Sequence, residues 1–252
     1  MSARGDCAGD AIVLAGATGR VGAATLTALV REGARVIVLS RDESRAASTI
    51  TAALDVRDRA AALAYRADLN EPADCDRAIA FATERFGRID AVVNLAGSGF
   101  GQIALPESSL EDLRKTLRAF VETAYALTIA ALRPMLAQPY REGARSRGRI
   151  VMVTAGSSKA PAPGRALFGA AKAAVNTFML GVARDHKADG IVANALVLGG
   201  VAFDGAERFY SAEDFKAAAT PEEVADVLTF LAADRSTGIN GALVDLNARE
   251  VD

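Results

Sequence analysis

The chain has 252 residues, 51% of them hydrophobic and 24% charged, with a formal net charge of -2, which is enough apolar material for one sizeable α/β core. No run of Lys or Arg forms a basic tail or patch, so nucleic acid is excluded as an expected partner. No stretch reads as the roughly 18 apolar residues of a membrane span, and two cysteines without CxxC or framework spacing fit a reducing cytoplasm.

Residues 1–10 (MSARGDCAGD) read as a flexible polar tail that carries Cys7 and lacks a signal-peptide core. From residue 11 onward short apolar runs alternate with helical patterns. AIVLA at 11–15 is a first buried strand, and a Gly-rich turn leads into a helix over 20–32 that Gly33 stops. RVIVL at 35–39 is a second strand, followed by an Ala-rich helix over 42–54. A third strand covers 63–67 and a helix with Pro in its first turn covers 72–86. A fourth strand at 91–95 precedes a loop at 98–108 and a long helix from about 110 to 136. RIVMV at 149–153 is a fifth strand, and AGSSKAPAPG at 155–164 is loop by composition. A helix over 166–186 leads to a sixth strand at 191–198. Residues 199–219 are irregular or weakly helical. Thr220 caps a helix over 221–233, with Glu223 closing a capping box, and a seventh strand runs 242–246.

Strands that are apolar throughout belong to a parallel sheet covered on both faces. The alternation gives an α/β, doubly wound, seven-stranded parallel sheet of Rossmann type, with residues 11–252 as a single domain.

Gly16-Ala17-Thr18-Gly19-Arg20-Val21-Gly22 lies between the first strand and the first helix. Glycines there permit a tight turn, and the helix N-terminus favours a pyrophosphate. Ser40-Arg41-Asp42 ends the second strand. An Arg at this tip accommodates a ribose 2′-phosphate, whereas an acid binds the free 2′-OH. Arg41, with Arg20 in the turn, favours NADP(H) over NAD(H); Asp42 leaves NAD open.

These residues resemble the short-chain dehydrogenase/reductase family over nearly the whole chain. Ala15–Gly22 corresponds to its TGxxxGxG turn, with Ala15 for Thr and Arg20 for the middle Gly; the spacing of Gly16, Gly19 and Gly22 is nearer to the family's extended and atypical branches. Asp68-Leu69 matches the Asp that meets the adenine. Asn94-Leu95-Ala96-Gly97 matches the NNAG motif, and 221–225 and 238–241 match the C-terminal helix and last turn. The resemblance implies that the cofactor is held by Gly16, Thr18, Arg20, Val21, Gly22, Ser40, Arg41, Asp68, Leu69, Asn94, Ala96, Gly97, Lys172 and Val201; no residue spacing suggests a metal site.

It also implies carbonyl–alcohol redox chemistry by a Tyr, a Lys four residues later, a Ser on the fifth strand and an Asn in the long helix. Here the Tyr position is Phe168 and the Lys is Lys172. Ala155 stands at the Ser and Phe120 at the Asn; Leu198-Gly199 replaces a Pro-Gly, and Phe203 a Thr. Thr154 keeps a hydroxyl, but one residue along a strand faces the other way. Losing a positioned acid costs about 10²–10⁴-fold and an oxyanion donor about 10²–10³-fold. Redox turnover by the family's route is therefore expected to be weak or absent, with Lys172 the one catalytic position retained. Alternative readings are a silent cofactor-binding subunit or sensor, and a fold reused for isomerisation, elimination or cyclisation.

Tyr210 is the better substitute acid and Tyr125 the poorer; His186 reads as an ordinary helix-end residue. Ser157 and Ser158 are loop residues near the site. The family commonly forms tetramers through its long helices and last strand, which implies a homo-oligomer here, dimer or tetramer, or pairing with an active homologue. Asn247-Ala248-Arg249 replaces the usual Gly-Gly after that strand. The composition of 200–219 favours an uncharged or apolar small-molecule ligand.

Overall fold

The computed structural model describes residues 5–97, 101–205 and 218–246. The strands are β1 (Ala11–Ala15), β2 (Arg35–Ser40), β3 (Ala62–Arg66), β4 (Ala91–Asn94), β5 (Gly148–Ala155), β6 (Ile191–Leu198) and β7 (Leu243–Leu246). All pair in parallel, in the order β3-β2-β1-β4-β5-β6-β7.

Side chains alternate between the two faces of a strand, and here both faces are apolar. Val13, Ile37, Val92 and Ile150 face one core cluster, while Ile12, Val36, Val93 and Val151 face the other. The first cluster lies under α3 (Pro72–Phe86), α5 (Thr123–Ala137) and α6 (Ala166–Asp185); the second lies under α1 (Arg20–Arg31), α2 (Glu43–Ala53) and α7 (Pro221–Ala232). The strand order reverses between β1 and β4, and in such sheets ligands bind beyond the strand ends at that reversal.

The expected seven-stranded doubly wound fold is present. Three local expectations change. The long helix is present but not regular: α4 (Leu110–Leu117) continues into α5 through a π turn over Arg118–Glu122. Thr123 Oγ1 donates to the Ala119 carbonyl at 3.0 Å and lies 3.3 Å from that of Phe120, which engages carbonyls that the wider turn displaces. Residues 5–10, expected in a flexible tail, are packed: Cys7 is fully buried, and Asp10 accepts from the buried Arg149 at 2.7 Å and from Arg141. Ion pairing and the second core cluster hold a segment whose composition reads as polar. Finally, α6 is long and apolar enough, by length and composition, to cross a membrane. Here it is a core helix that packs on β5 and β6 and carries Asn176 and Lys172 among its buried residues.

Candidate active site

Gly16 leaves β1 with φ of +86°, in the region that side chains with a Cβ disfavour. A Cβ there would stand 2.7 Å from the Ala96 nitrogen, and one on Gly22 would stand 2.1 Å from the Gly16 carbonyl oxygen. The two glycines let the turn lie flat between β4 and α1. Gly19, the N-cap of α1, makes no side-chain cap, and no acid occupies the first turn. By contrast α2, α4 and α7 are capped by Asp42, Ser109 and Thr220. The first amides of α1 thus have no capping side chain, an arrangement that accepts a phosphate.

Next to this turn lies a cavity of about 670 Å³. Its walls include Gly16, Thr18 and Gly19 from the turn, Ser40, Arg41 and Asp42 past β2, and Arg45 on α2. Asp68 and Leu69 past β3, Ala96 and Gly97 past β4, and Lys115, Arg118 and Thr123 across the crevice complete it. Asp42 is occupied in capping α2: it accepts from the Ser44 hydroxyl and from the Ser44 and Arg45 amides. The Ser44 hydrogen bond, then the Arg45 amide, hold its carboxyl below the usual range. Arg41 precedes the N-cap of α2 and Arg45 lies four residues later in its first turn; both are exposed and both line the cavity. Arg118 pairs with Glu71 at 3.2 Å, and Lys115 lies 3.9 Å from Glu111.

Of the residues expected on the cofactor, Gly16, Thr18, Ser40, Arg41, Asp68, Leu69, Ala96 and Gly97 form the cavity wall. Others take different places. The Arg20 guanidinium lies 4.2 Å from the centre of the Phe203 ring and is not on the wall. Val21 and Val201 belong to the apolar packing beneath α1 and α7, with Val201 bridged to Ala219. Asn94 is buried and accepts the Ala96 N–H at 2.8 Å, so it shapes the turn that Ala96 and Gly97 present.

Arg45, Lys115, Arg118 and Asp74 did not emerge from the motifs. Asp74 Oδ2 accepts the Asp68 N–H at 2.9 Å, which fixes the Asp68-Leu69 turn. That amide bond is the leading cause of its lowered pKa, with Arg77 and Arg66 adding to it. Arg45 follows Arg41 by four residues, in the first turn of α2.

Lys172 lies apart from the cavity wall, buried on α6. Its Nζ donates to the Val153 carbonyl at 3.0 Å and stands 4.5 Å from the centre of the Phe120 ring and 5.8 Å from that of Phe168. The two rings meet edge to face, with centroids 5.2 Å apart at 76°. Phe120 is carried by the π turn and packs on Gly97, where a Cβ would stand 2.5 Å from the ring; Gly97 in turn forms the cavity wall. Burial pushes the Lys172 pKa down to about 8. Ala155 ends β5, and Thr154 is buried with its hydroxyl 3.4 Å from the Leu196 carbonyl.

The other candidates stand elsewhere. His186 caps the C-terminus of α6 and bonds Asp189 at 2.9 Å. Tyr125 is exposed and packs on Phe178. Ser158 Oγ accepts from Asn176 Nδ2 at 2.8 Å. Tyr210 and Asn247-Ala248-Arg249 lie outside the described residues.

The family model for short chain dehydrogenases matches residues 10–214. The chain belongs to the short-chain dehydrogenase family. The family accounts for the parallel sheet, the crevice at the β1–β4 reversal and an NAD(P)-binding turn. Similar curated proteins include 3-oxoacyl-[acyl-carrier-protein] reductase of Synechocystis sp., 30% identical over 227 residues, covering 88% of each chain. A-factor type gamma-butyrolactone 1'-reductase of Streptomyces virginiae is 29% identical, covering 91% of each chain. Meso-2,3-butanediol dehydrogenase of Serratia marcescens is 28% identical, covering 94% of this chain and 92% of its own. These are oxidoreductases by name, with different substrates.

Proposed function

We propose that this short-chain dehydrogenase family member binds NADP(H) in the crevice but has lost the family's route for carbonyl–alcohol exchange. The observation that carries this reading is the Lys172 ammonium between two phenyl rings. A Lys one turn from a Tyr would help to ionise a phenol. Here the residue one turn away is Phe168, which has no proton to give.

The crevice fits a phosphorylated dinucleotide. The uncapped N-terminus of α1 suits the pyrophosphate. Arg41 and Arg45 stand where a ribose 2′-phosphate would meet them, and Asp42 is already committed to α2, which supports NADP(H) over NAD(H). Lys172 keeps the role of holding the nicotinamide ribose. When bound, the cofactor supplies hydride chemistry; the chain's own side chains at Phe120, Ala155 and Phe168 supply neither an acid nor a hydroxyl for the substrate oxygen.

The ligand is a small uncharged or apolar molecule, and the protein works in the cytoplasm as a homo-oligomer, alone or beside an active homologue. Calorimetric titration with NADPH and NADH tests the cofactor reading. Tighter binding of NADPH is the expected result, and binding of neither dinucleotide overturns the reading.

A further inference from the structure

We infer that Arg118 reads the base of the bound dinucleotide: its guanidinium lies flat on the adenine and is held there by Glu71. The inference rests on the cofactor reading above and adds to it a residue that recognises the base rather than a phosphate.

The turn after β3 is fixed from several sides. The Glu71 N–H donates to the Asp68 carbonyl at 3.0 Å. The Asp68 carboxylate accepts from the Asn70 amide at 3.0 Å, and Asp74 holds the Asp68 N–H. Glu71 is the N-cap residue of α3, but its side chain does not cap that helix. It reaches instead to Arg118 Nη2 at 3.2 Å. Arg118 opens the π turn on the other side of the crevice and forms part of the cavity wall. The pair therefore ties the lip beyond β3 to the lip that follows α4.

The cations of the wall are of two kinds. Among the described residues, Arg41 and Arg45 have no carboxylate within ion-pair distance, so their charge is open to a phosphate. Arg118 is paired with Glu71, and Lys115 lies 3.9 Å from Glu111. A guanidinium already matched by a carboxylate is a poor receptor for a second anion, because the acid repels it. Its faces stay open: an Arg spends the edge of its planar fork on the carboxylate and stacks through its plane. Both side chains are more than half exposed, where ion pairs contribute little. A base laid over the guanidinium shields the pair from water and strengthens it.

The position of the base follows by elimination. With the pyrophosphate at the N-terminus of α1 and the 2′-phosphate at Arg41 and Arg45, the space left lies beyond β3 and β4. Its walls are the buried Ala67 and Leu69, then Leu95, Ala96 and Arg118. Aliphatic groups and a guanidinium plane suit a flat, uncharged ring, and purines stack on such planes.

The test titrates the parent and Arg118→Ala with NADPH, NADH and adenosine 2′-phosphate, the last by competition against NADPH. All three ligands carry the base, NADH lacks the 2′-phosphate, and adenosine 2′-phosphate lacks the pyrophosphate. The expected result is one common loss of roughly two- to ten-fold for all three. A loss confined to NADPH and adenosine 2′-phosphate shows that Arg118 reads the 2′-phosphate, and a loss confined to the two dinucleotides shows that it reads the pyrophosphate; either overturns the inference, as does no loss. Glu71→Gln should weaken the same ligands in the parent and have no further effect in Arg118→Ala; fully additive losses overturn its positioning role. A parent that binds neither dinucleotide overturns the cofactor reading and this inference with it, whereas tight binding that is unchanged in Arg118→Ala overturns this inference alone.

Discussion

The side-chain nitrogen of Lys172 stands 4.5 Å from the centre of the Phe120 ring. One residue comes from the buried face of α6 and the other from the π turn between α4 and α5. Their meeting exchanges a wet, polar surrounding for an aromatic one. Burial lowers the lysine's pKa, and Phe168, edge-on to Phe120, extends the same apolar wall.

The buried ammonium carries a pH signature. The folded pKa of Lys172 is about 8, against an ordinary 10.5. Between these values the unfolded chain holds the proton and the folded chain does not, so stability from this residue rises with pH across that window. Below pH 8 the buried charge costs up to about 3 kcal/mol, partly offset by the rings. Lys172→Met is expected to melt several degrees higher than the parent at pH 7, with the gap shrinking at pH 10. Thermal melts at both pH values check this; a Met variant less stable at both contradicts it.

Arg41 and Arg45 are expected to set the cofactor preference. Charge-assisted hydrogen bonds contribute about 1.5–3 kcal/mol each. The double variant Arg41→Ala, Arg45→Ala should weaken NADPH binding by roughly ten-fold or more, with little change for NADH. Salt should weaken NADPH binding more than NADH binding. Equal losses for both dinucleotides would show that the arginines do not read the 2′-phosphate.

Gly22→Ala places a Cβ 2.1 Å from the Gly16 carbonyl oxygen. Backbone must shift to relieve this, at a cost of about 1–3 kcal/mol. The expected variant has a lower Tm and a weakened NADPH affinity, both read from one thermal-shift titration. Gly87→Ala offers a contrast: no atom lies within 4 Å of a Cβ there, but its φ is +82°. It should lose stability while keeping cofactor affinity.

The sheet was legible because strands such as AIVLA and RVIVL are apolar on both faces, which leaves a covered parallel sheet as their solution. The glycine turn, Asp68 and Ala96-Gly97 were legible because backbone geometry demands those residues at strand ends. The cationic wall opposite Arg41 was less so. Lys115 and Arg118 face the crevice only because of how α4 sits and where the π turn begins, and periodicity alone gives neither. Cys7 reads as part of a tail because its neighbours are polar; the contact that holds that segment is the Asp10–Arg149 pair, 139 residues apart in sequence. The aromatic contacts of Lys172 were half legible: Phe168 and Lys172 share a helix face by spacing, but the approach of Phe120 is tertiary.

The most direct measurement compares NADPH oxidation by the parent protein and by the double variant Phe168→Tyr, Ala155→Ser, over one panel of uncharged aldehydes and ketones. A phenol one turn before Lys172 and a hydroxyl at the end of β5 return the missing acid and donor, worth about 10²–10⁴-fold from the acid alone. The account predicts that the parent binds NADPH yet oxidises it at the background rate, while the variant turns over. A parent that reduces a member of the panel as fast as the variant does would contradict it.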